Sequence, residues 1–164
     1  MEQVVVCRTL YNQTKSVPVE KLEHRPSVYG IVMHGQQVLL AQSHHTRKYV
    51  LPGGGNEKGE AVEAALRREV WEETGVQVDV NEFLHFETDF FYYDPLDLAL
   101  HGFMFYYRCT PLTLALEPPP YPEVEDLEFP LWADADSLTP QSFQAHGELY
   151  LRLIEQCRAQ VSTG

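Results

Sequence analysis

The sequence predicts an α/β fold in which helices flank a mixed β-sheet. Three observations predict this class. Apolar runs of strand length stand on both sides of residues 60–74, whose pattern is helical. The long aromatic segment 76–93 is followed, after a short loop, by a second alternating segment at 98–108, which is typical of an antiparallel pair. A second apolar stripe with helical spacing lies near the C-terminus.

The chain before the predicted helix contains strand and loop signals. The β-branched run Val4-Val5-Val6 predicts a first strand. Residues 27–33 and 37–41 are apolar runs separated by His34-Gly35, which predicts a hairpin. Residues 52–59 read PGGGNEKG and predict a glycine-rich loop leading into the helix.

The central helix and the two strands after it have clear boundaries in the sequence. The helix is predicted from Glu60 to Thr74, with Gly75 at the C-terminal cap position. The strand at 76–93 ends at the turn signal Asp94-Pro95, and 98–108 should pair antiparallel with it.

The C-terminal part is predicted to contain one strand and one helix. Residues 127–132 form the last strand, and Thr139-Pro140 has the form of a helix start. The helix after it should bury an apolar stripe, which consists of Leu149, Leu153, Ile154 and Cys157.

Size, composition and charge restrict the function classes. The 164 residues fit one domain, and 44% hydrophobic and 12% aromatic residues are typical of a folded protein, so we expect a single domain over residues 1–164. The net charge of −12 argues against long nucleic acid as a partner. A small polyphosphate would be repelled too, unless divalent cations stood between it and the carboxylates. The absence of a basic stripe also argues against messenger RNA decapping.

The chain lacks the signals of secretion and of a membrane span. No apolar run approaches the roughly 20 residues that a transmembrane helix needs, and the N-terminus does not resemble a secretory signal. Cys7, Cys109 and Cys157 are scattered and odd in number, which favours free thiols over disulfides or a zinc site. We therefore expect a cytoplasmic protein without membrane association. Its oligomeric state, monomer or homodimer, stays open.

Three glutamates on the predicted helix suggest a metal site. Glu69, Glu72 and Glu73 share an arc of roughly 100° that overlaps the apolar face, so their charges repel one another and lose hydration. Arg68 can neutralise about one of them, and Arg67 points away. A divalent ion would remove the conflict, and carboxylate oxygens favour Mg²⁺, or Mn²⁺, over zinc. The alternative is a solvated acidic surface, and from the helix alone both interpretations stay open.

The glycine loop before the helix favours a ligand site. Gly53, Gly54 and Gly55 allow the backbone to approach a ligand closely and to present its polar groups. Glu60 lies at the predicted helix start, where a negative charge is favourable. The alternative is a tight strand-to-helix turn that needs positive φ angles, and both interpretations can hold together.

These residues together resemble the Nudix box. Gly54, Glu60, Arg68-Glu69-Val70, Glu72-Glu73 and Gly75-Val76 match all nine constrained positions of that motif. With ordinary residue frequencies, a chance match is on the order of 10⁻⁹ per starting point. The box covers residues 54–76, and the segment 49–53 before it is similar to the family's lead-in strand, with Tyr49 where tryptophan is often seen. The resemblance is therefore specific but confined to this part of the chain.

The resemblance implies a fold, a reaction and a metal. The fold would be an α/β/α sandwich of the Nudix type, with the box as loop, helix and loop on one side of a mixed sheet. Nudix enzymes hydrolyse nucleoside diphosphates linked to another group. Carried over by position, the three glutamates named above would be ligands for Mg²⁺, with Mn²⁺ as an alternative, and the carbonyl of Gly53 would complete the site. A glutamate from a later loop, here Glu125 or Glu123, would be a further ligand or the general base.

The resemblance also implies roles for the other charged residues of the box. Arg68, with Glu60, would orient the glutamates. Glu69 is the first candidate for the general base that accepts a proton from the attacking water, and a later-loop glutamate is the alternative.

Substrate contacts are predicted outside the carboxylates. Gly54 and Gly55 would approach the substrate phosphates through their backbone. Arg47, in the one local basic cluster, is predicted to contact phosphate, although a solvated loop explains it equally well. Aromatic side chains of the two paired strands are candidates for stacking on a base, and His101 could hydrogen-bond to one; the rings are those of Phe90, Phe91, Tyr92, Tyr93, Phe103, Phe105 and Tyr107. Aromatic residues in strands are, however, more often part of a core.

The substrate class is predicted by resemblance to the small MutT-like enzymes. We expect a nucleoside triphosphate, with dinucleoside polyphosphates and nucleotide sugars as alternatives. A non-catalytic nucleotide-sensing module is the alternative from another class. Such modules usually lose box glutamates, whereas this chain keeps all of them.

Overall fold

The computed structural model describes residues 1–120 and 129–161. Within these residues the chain forms nine strands and two α-helices, together with four short 3₁₀ turns. The strands are β1 (Val4–Thr9), β2 (Thr14–Pro18), β3 (Glu23–His34), β4 (Gln37–Gln42), β5 (Tyr49–Val50), β6 (Gly53–Gly55), β7 (Val78–Tyr93), β8 (Leu98–Pro111) and β9 (Phe129–Asp134). The helices are α1 (Val62–Thr74) and α2 (Gly147–Val161).

The strands form a mixed sheet in the order β2-β1-β7-β8-β3-β4-β5. Strands β7 and β8 form the predicted antiparallel pair, whereas β3 runs parallel to β8 and β1 runs parallel to β7. Strand β6 pairs with β3, and β9 pairs with β4. The structure therefore confirms the prediction of a mixed sheet flanked by helices.

The two helices cover opposite faces of β3. Successive residues of a strand point to opposite faces, so neighbouring residues of β3 pack against different helices. Val28 and Val32 pack with Leu66 and Val70 of α1 in one core cluster. Ile31, between them, packs in a second cluster with side chains of α2, which are Tyr150, Leu153, Ile154 and Cys157.

Helix α1 begins two residues later than predicted and ends as predicted. Ala61 is extended, and the helix runs from Val62 to Thr74. Gly75 ends it in the left-handed conformation, with φ of 79°, and its N–H donates to the carbonyl of Trp71. A Cβ at Gly75 would lie 2.3 Å from the backbone of Glu117, so glycine is required for space as well as for φ.

Two sequence predictions of local structure are wrong. Gly53–Gly55 is not loop but the short strand β6, because its backbone pairs with Ser27, Val28 and Tyr29 of β3. Thr139-Pro140 begins only a 3₁₀ turn, Pro140–Ser142. Phe143 is extended and buried against the α2 core, so the chain leaves helical geometry there, and α2 begins at Gly147.

The cysteines agree with a further expectation. Cys7, Cys109 and Cys157 are buried free thiols. Burial raises the pKa of Cys109 to about 12 and that of Cys157 to about 11, which keeps both protonated at neutral pH. Neither α1 nor α2, over the part of the chain that the structure describes, is long and apolar enough to cross a bilayer.

Candidate active site

The glycines of β6 allow this strand to pack closely against β3 and against Glu69 of α1. Gly53 has φ of 152°, and a Cβ there would lie 2.1 Å from the carbonyl oxygen of Val28. A Cβ at Gly54 would lie 2.6 Å from Oε2 of Glu69. A side chain at Gly53 would separate β6 from β3, and a side chain at Gly54 would displace the carboxylate of Glu69. The absence of side chains thus brings backbone directly against a carboxylate of the helix.

Arg68 binds three glutamates of the box at once. Its Nε and Nη2 donate to the two oxygens of Glu60 at 2.8 and 2.9 Å, a bidentate pair. Its Nη1 donates to Oε1 of Glu69 at 2.9 Å and to Oε2 of Glu72 at 3.1 Å. The second N–H of Nη2 donates to the carbonyl of Gly55 at 3.1 Å. All five N–H donors of the guanidinium are therefore used, which fixes α1 against β6 and the loop between them.

The electrostatics of the site differ between its carboxylates. Burial raises the pKa of Glu69 above its ordinary value, and the charge and hydrogen bond of Arg68 offset only part of this effect. The hydrogen bonds from Arg68 lower the pKa of Glu60, which is half-buried. The hydrogen bonds between Arg68 and Glu60, together with the charge of Glu69, raise the pKa of Arg68 above its ordinary value. The carboxylate of Glu69 is thus more basic than that of Glu60.

The residues supply a donor set that suits a hard divalent cation. Glu69, Glu72 and Glu73 are half-buried on α1, and Oε2 of Glu73 accepts a hydrogen bond from the N–H of Gly53 at 3.1 Å. Arg68 bonds to one oxygen of Glu69 and to one of Glu72, so it does not occupy both oxygens of either group. Among the described residues, no three His, Cys, Asp or Glu side chains are already arranged to hold a metal ion. The chemistry of the donors fits Mg²⁺ or Mn²⁺, and the ligand assignment, including the carbonyl of Gly53, stays a prediction.

A cleft of about 710 Å³ opens beside this network. Its lining includes Glu60 and Glu69 together with His24 and Arg25 of β3 and the loop at residues 56–59. This volume lies within the usual range for small-molecule sites, about 300–1,000 Å³.

The sequence analysis missed two residues that shape this cleft. The guanidinium of Arg25 lies 3.4 Å from the position that a Cβ on Gly55 would occupy. Its positive charge acts to lower the pKa of Glu69. Asn56 donates through its side chain to the carbonyls of Glu57 and Glu60, at 3.1 and 2.9 Å, and closes the loop. No sequence pattern marks Arg25, whereas an asparagine after three glycines is a recognisable turn signal.

The structure places the other predicted substrate contacts apart from this cleft. Tyr92 is 8% exposed and packs in a third core cluster with Cys7, Val17 and Ala99. Its hydroxyl donates to the carboxylate of Asp97, which makes it a structural residue at the end of β7.

Two more predicted substrate contacts, Tyr93 and Arg47, also lie elsewhere in the described residues. Tyr93 lies at the same end of β7, where it pairs with Leu98. Arg47 is exposed on the turn between β4 and β5, with φ of 62°. Glu123 and Glu125 lie outside the residues that the structure describes.

A second pocket, of about 370 Å³, lies at the start of α2. Arg8, Lys48 and His146 line it. Asp89 binds two of these side chains, Nη2 of Arg8 at 3.0 Å and Nε2 of His146 at 3.1 Å. Burial would raise the pKa of Asp89, but these two partners outweigh it and hold the pKa below its ordinary value.

Comparison with solved structures gives the same fold. A NUDIX hydrolase from Nitrosomonas europaea superimposes with a TM-score of 0.64 at 17% identity, over 94% of this chain and 87% of that one. An ADP-ribose pyrophosphatase from Streptococcus suis 89-1591 superimposes with a TM-score of 0.61 at 18% identity, over 82% of this chain and 92% of that one. At these identities the likeness shows the fold alone.

Comparison with curated sequences gives two partial relatives. An RNA pyrophosphohydrolase from Roseobacter denitrificans (strain ATCC 33942 / OCh 114) is 39% identical over 85 residues, which is 49% of this chain and 53% of that protein. A MutT-like protein from Streptomyces ambofaciens is 43% identical over 60 residues, 36% of this chain and 39% of that protein. The match thus spans about half the length of the first relative and less of the second.

The family model described as NUDIX domain matches residues 23–153, which is well over half of the chain. This range contains β3, the glycine strand β6, helix α1 with Glu69, Glu72 and Glu73, and the first part of α2, up to Leu153. The sequence motif, the fold and the family model agree, and the chain belongs to the Nudix family.

Proposed function

We propose that this protein hydrolyses a phosphoanhydride bond in a nucleoside diphosphate linked to another group, with a nucleoside triphosphate as the favoured substrate. The observation that carries the proposal is the Arg68 network. It holds Glu60, Glu69 and Glu72 in place beside the backbone of β6, at the edge of an open cleft. A purely structural helix would not need a carboxylate packed only 2.6 Å from the position that a Cβ on Gly54 would occupy.

The carboxylates of α1 would serve both cation binding and proton transfer, and Glu69 is a candidate for both roles. Glu69, Glu72 and Glu73 would hold Mg²⁺ or Mn²⁺ through their oxygens. When bound, such a cation neutralises phosphate charge and lowers the pKa of water. Glu69 is the candidate general base because burial raises its pKa, which makes it a better proton acceptor than an ordinary glutamate. Glu123 and Glu125 are the alternative bases.

Arg68 positions these groups and is not proposed to contact substrate. All of its donors are bound to the protein, so none is directed at a ligand. Arg25 and Lys58 both line the cleft, and Arg25, whose charge acts on Glu69, is a better candidate than Arg68 for contact with a substrate phosphate.

The names of the partial relatives support a substrate with a chain of phosphates. One is named as MutT-like and the other as an RNA pyrophosphohydrolase. We favour a free nucleotide over RNA because a chain of net charge −12 repels a long phosphate backbone. Dinucleoside polyphosphates and nucleotide sugars are the alternatives within the same reaction class.

The test is hydrolysis of a substrate panel with Mg²⁺ present or chelated. The panel contains nucleoside triphosphates with 8-oxo-dGTP, ADP-ribose, diadenosine polyphosphates, nucleotide sugars and a short RNA with a 5′-triphosphate. Glu73→Gln is the active-site variant, and Glu63→Gln is its control, since Glu63 is an exposed glutamate of the same helix. We expect Mg²⁺-dependent turnover of a nucleoside triphosphate that Glu73→Gln abolishes and Glu63→Gln leaves unchanged.

Two outcomes would contradict the proposal. Turnover of RNA in preference to free nucleotides would move the substrate to the other named class. Tight Mg²⁺-dependent binding of a nucleotide without turnover of any substrate would show that the protein is a sensor module.

A further inference from the structure

The second pocket is lined by basic side chains from three separate segments of the chain. Arg8 belongs to β1, Lys48 directly precedes β5, and His146 directly precedes α2. No aspartate or glutamate is among the described residues that line this pocket. The chain as a whole has a net charge of −12, so the pocket differs in the sign of its charge from the rest of the molecule. Such a pocket attracts anions.

Asp89 orients two of these basic side chains. It accepts a hydrogen bond from Nη2 of Arg8 at 3.0 Å and contacts Nε2 of His146 at 3.1 Å. The guanidinium of Arg8 also lies 4.7 Å from the centroid of the Phe91 ring, and its Nη1 donates to the carbonyl of Thr9 at 3.5 Å. Three of the five N–H groups of Arg8 therefore have no hydrogen-bond partner among the described residues.

Lys48 gives the pocket its net positive charge. Asp89 offsets the charge of Arg8 and leaves that of Lys48. The ammonium group of Lys48 donates one hydrogen bond to the carbonyl of Gln141, so two of its three N–H groups remain for a ligand. Gln141 is exposed and also lines the pocket, where its side-chain amide adds a neutral donor and acceptor.

The walls of the pocket are fixed by the hydrogen bonds of Gln144. Its backbone N–H donates to the carbonyl of Tyr49 at 2.9 Å, and its carbonyl accepts from the side chain of Asn12 at 3.0 Å. Its side-chain amide donates to the carbonyl of Leu10 and accepts from the hydroxyl of Thr46. Gln144 thus connects the turn after β1, the turn between β4 and β5 and the segment before α2. A pocket held in this way needs little ordering when a ligand binds.

We propose that the second pocket is a binding site for the phosphate group of a small molecule, separate from the candidate active site. It shares no lining residue with the cleft beside Glu69. Its basic side chains would bind phosphate oxygens directly, whereas the carboxylates of the box need a divalent cation between them and a phosphate. The volume of about 370 Å³ accommodates inorganic diphosphate or the phosphomonoester of a small organic molecule. The proposal does not rest on the proposed hydrolysis.

Binding measured without divalent cations tests the site. Isothermal titration calorimetry in the presence of a chelator compares inorganic diphosphate, a nucleoside monophosphate and the same nucleoside without phosphate. Without a metal ion, the carboxylates of the box repel both anions, so binding reports on a basic site elsewhere. We expect saturable binding of a phosphate-bearing ligand with a Kd below about 1 mM, and no binding of the nucleoside. Tighter binding of diphosphate would identify an inorganic anion as the ligand, and tighter binding of the monophosphate would identify a phosphorylated organic molecule.

Two variants and one control connect the binding with the pocket. Lys48→Gln removes a positive charge, and Gln141→Glu adds a negative charge with little change of shape. Both residues are exposed, so both variants should fold. Lys21→Gln is the control, since Lys21 is an exposed lysine that lines neither pocket. We expect each pocket variant to raise the Kd by about tenfold, the lower end for a hydrogen bond to a charged group, because water screens exposed charges. Lys21→Gln should leave the Kd unchanged.

NMR of the ¹⁵N-labelled protein locates the ligand by the backbone amides whose resonances shift. We expect the shifts at residues 140–147. Shifts at residues 55–60 in their place would assign the ligand to the cleft and overturn the proposal. So would the absence of saturable binding of either anion up to about 10 mM, or equal Kd values for the wild type and both pocket variants. None of these measurements depends on turnover, so failure of the proposed hydrolysis would leave the test of this site intact.

Discussion

Replacing Gly54 by alanine tests whether the contact between β6 and Glu69 is functional. The added Cβ would lie 2.6 Å from Oε2 and 2.7 Å from Cδ of Glu69. Ordinary contact begins near 3.4 Å, so the carboxylate has to retreat by about 0.8 Å. A displacement of about 1 Å in a positioned group costs roughly 100-fold in rate. We expect Gly54→Ala to lower kcat/KM by about that factor.

Gly102→Ala, on strand β8, is the control. A Cβ there would lie 3.7 Å from the carbonyl oxygen of Asp89, which is an ordinary contact. Both variants should keep a cooperative unfolding transition in urea, because the Gly54 clash involves a side-chain end and not backbone. The assay is steady-state hydrolysis of the best substrate from the panel. Equal kcat/KM values for the two variants would refute the argument that β6 positions Glu69.

Three further predictions concern stability, pH and thiol reactivity. Arg68→Lys leaves three donors in place of five, so at least two hydrogen bonds are lost and the free energy of unfolding should fall by about 2 kcal/mol. Asp89 has a folded pKa below its unfolded value, so its stabilisation is present above about pH 4 and disappears as the pH falls through the folded pKa. Asp89→Asn should therefore be less stable than the wild type at pH 7, and the difference should shrink below about pH 4. Cys109 and Cys157, with raised pKa values and almost no exposure, should react with a disulfide reagent only on unfolding.

Each of these predictions has its own control. Arg67→Lys is matched to Arg68→Lys, since Arg67 is exposed on the same helix, and an equal loss of stability in both would show that the network contributes little. Urea unfolding at several pH values measures the Asp89 effect, and a constant difference between wild type and variant from pH 7 to pH 3 would contradict it. Thiol reaction is followed by absorbance in buffer and in denaturant, and fast labelling of the native protein would show that the buried thiols are accessible.

The box and its helix were predictable because their signals are local. The spacing of apolar residues fixed α1 to within two residues at its start, and Gly75 marked its end, since only glycine takes that φ without strain. The strand pair β7 and β8 was predictable for the same reason, as its alternation and its short loop are adjacent in sequence. Such patterns depend on neighbours within one or two turns, which the sequence displays directly.

Other features depended on contacts between distant segments. Gly53–Gly55 forms a strand only because β3, about 25 residues earlier, offers its edge. Phe143 ends the turn after Pro140 because the core that holds α2 has a place for it. Tyr92 was a candidate for substrate stacking, yet the N-terminal strand β1 and the residues of the third cluster bury it. None of these outcomes follows from propensity, because tertiary packing overrides weak local preferences.

The sequence by itself determined the family motif, the helix that bears the glutamates and the mixed-sheet class. These depend on residue identity and on the 3.6- and 2-residue periods, which are properties of the chain alone. Only the tertiary structure decided that Arg68 binds three glutamates and that Arg25 and His24 enter the cleft. The physical reason is that strand order and register bring together residues as far apart in sequence as Gln37 and Asp134, and no local pattern encodes that pairing.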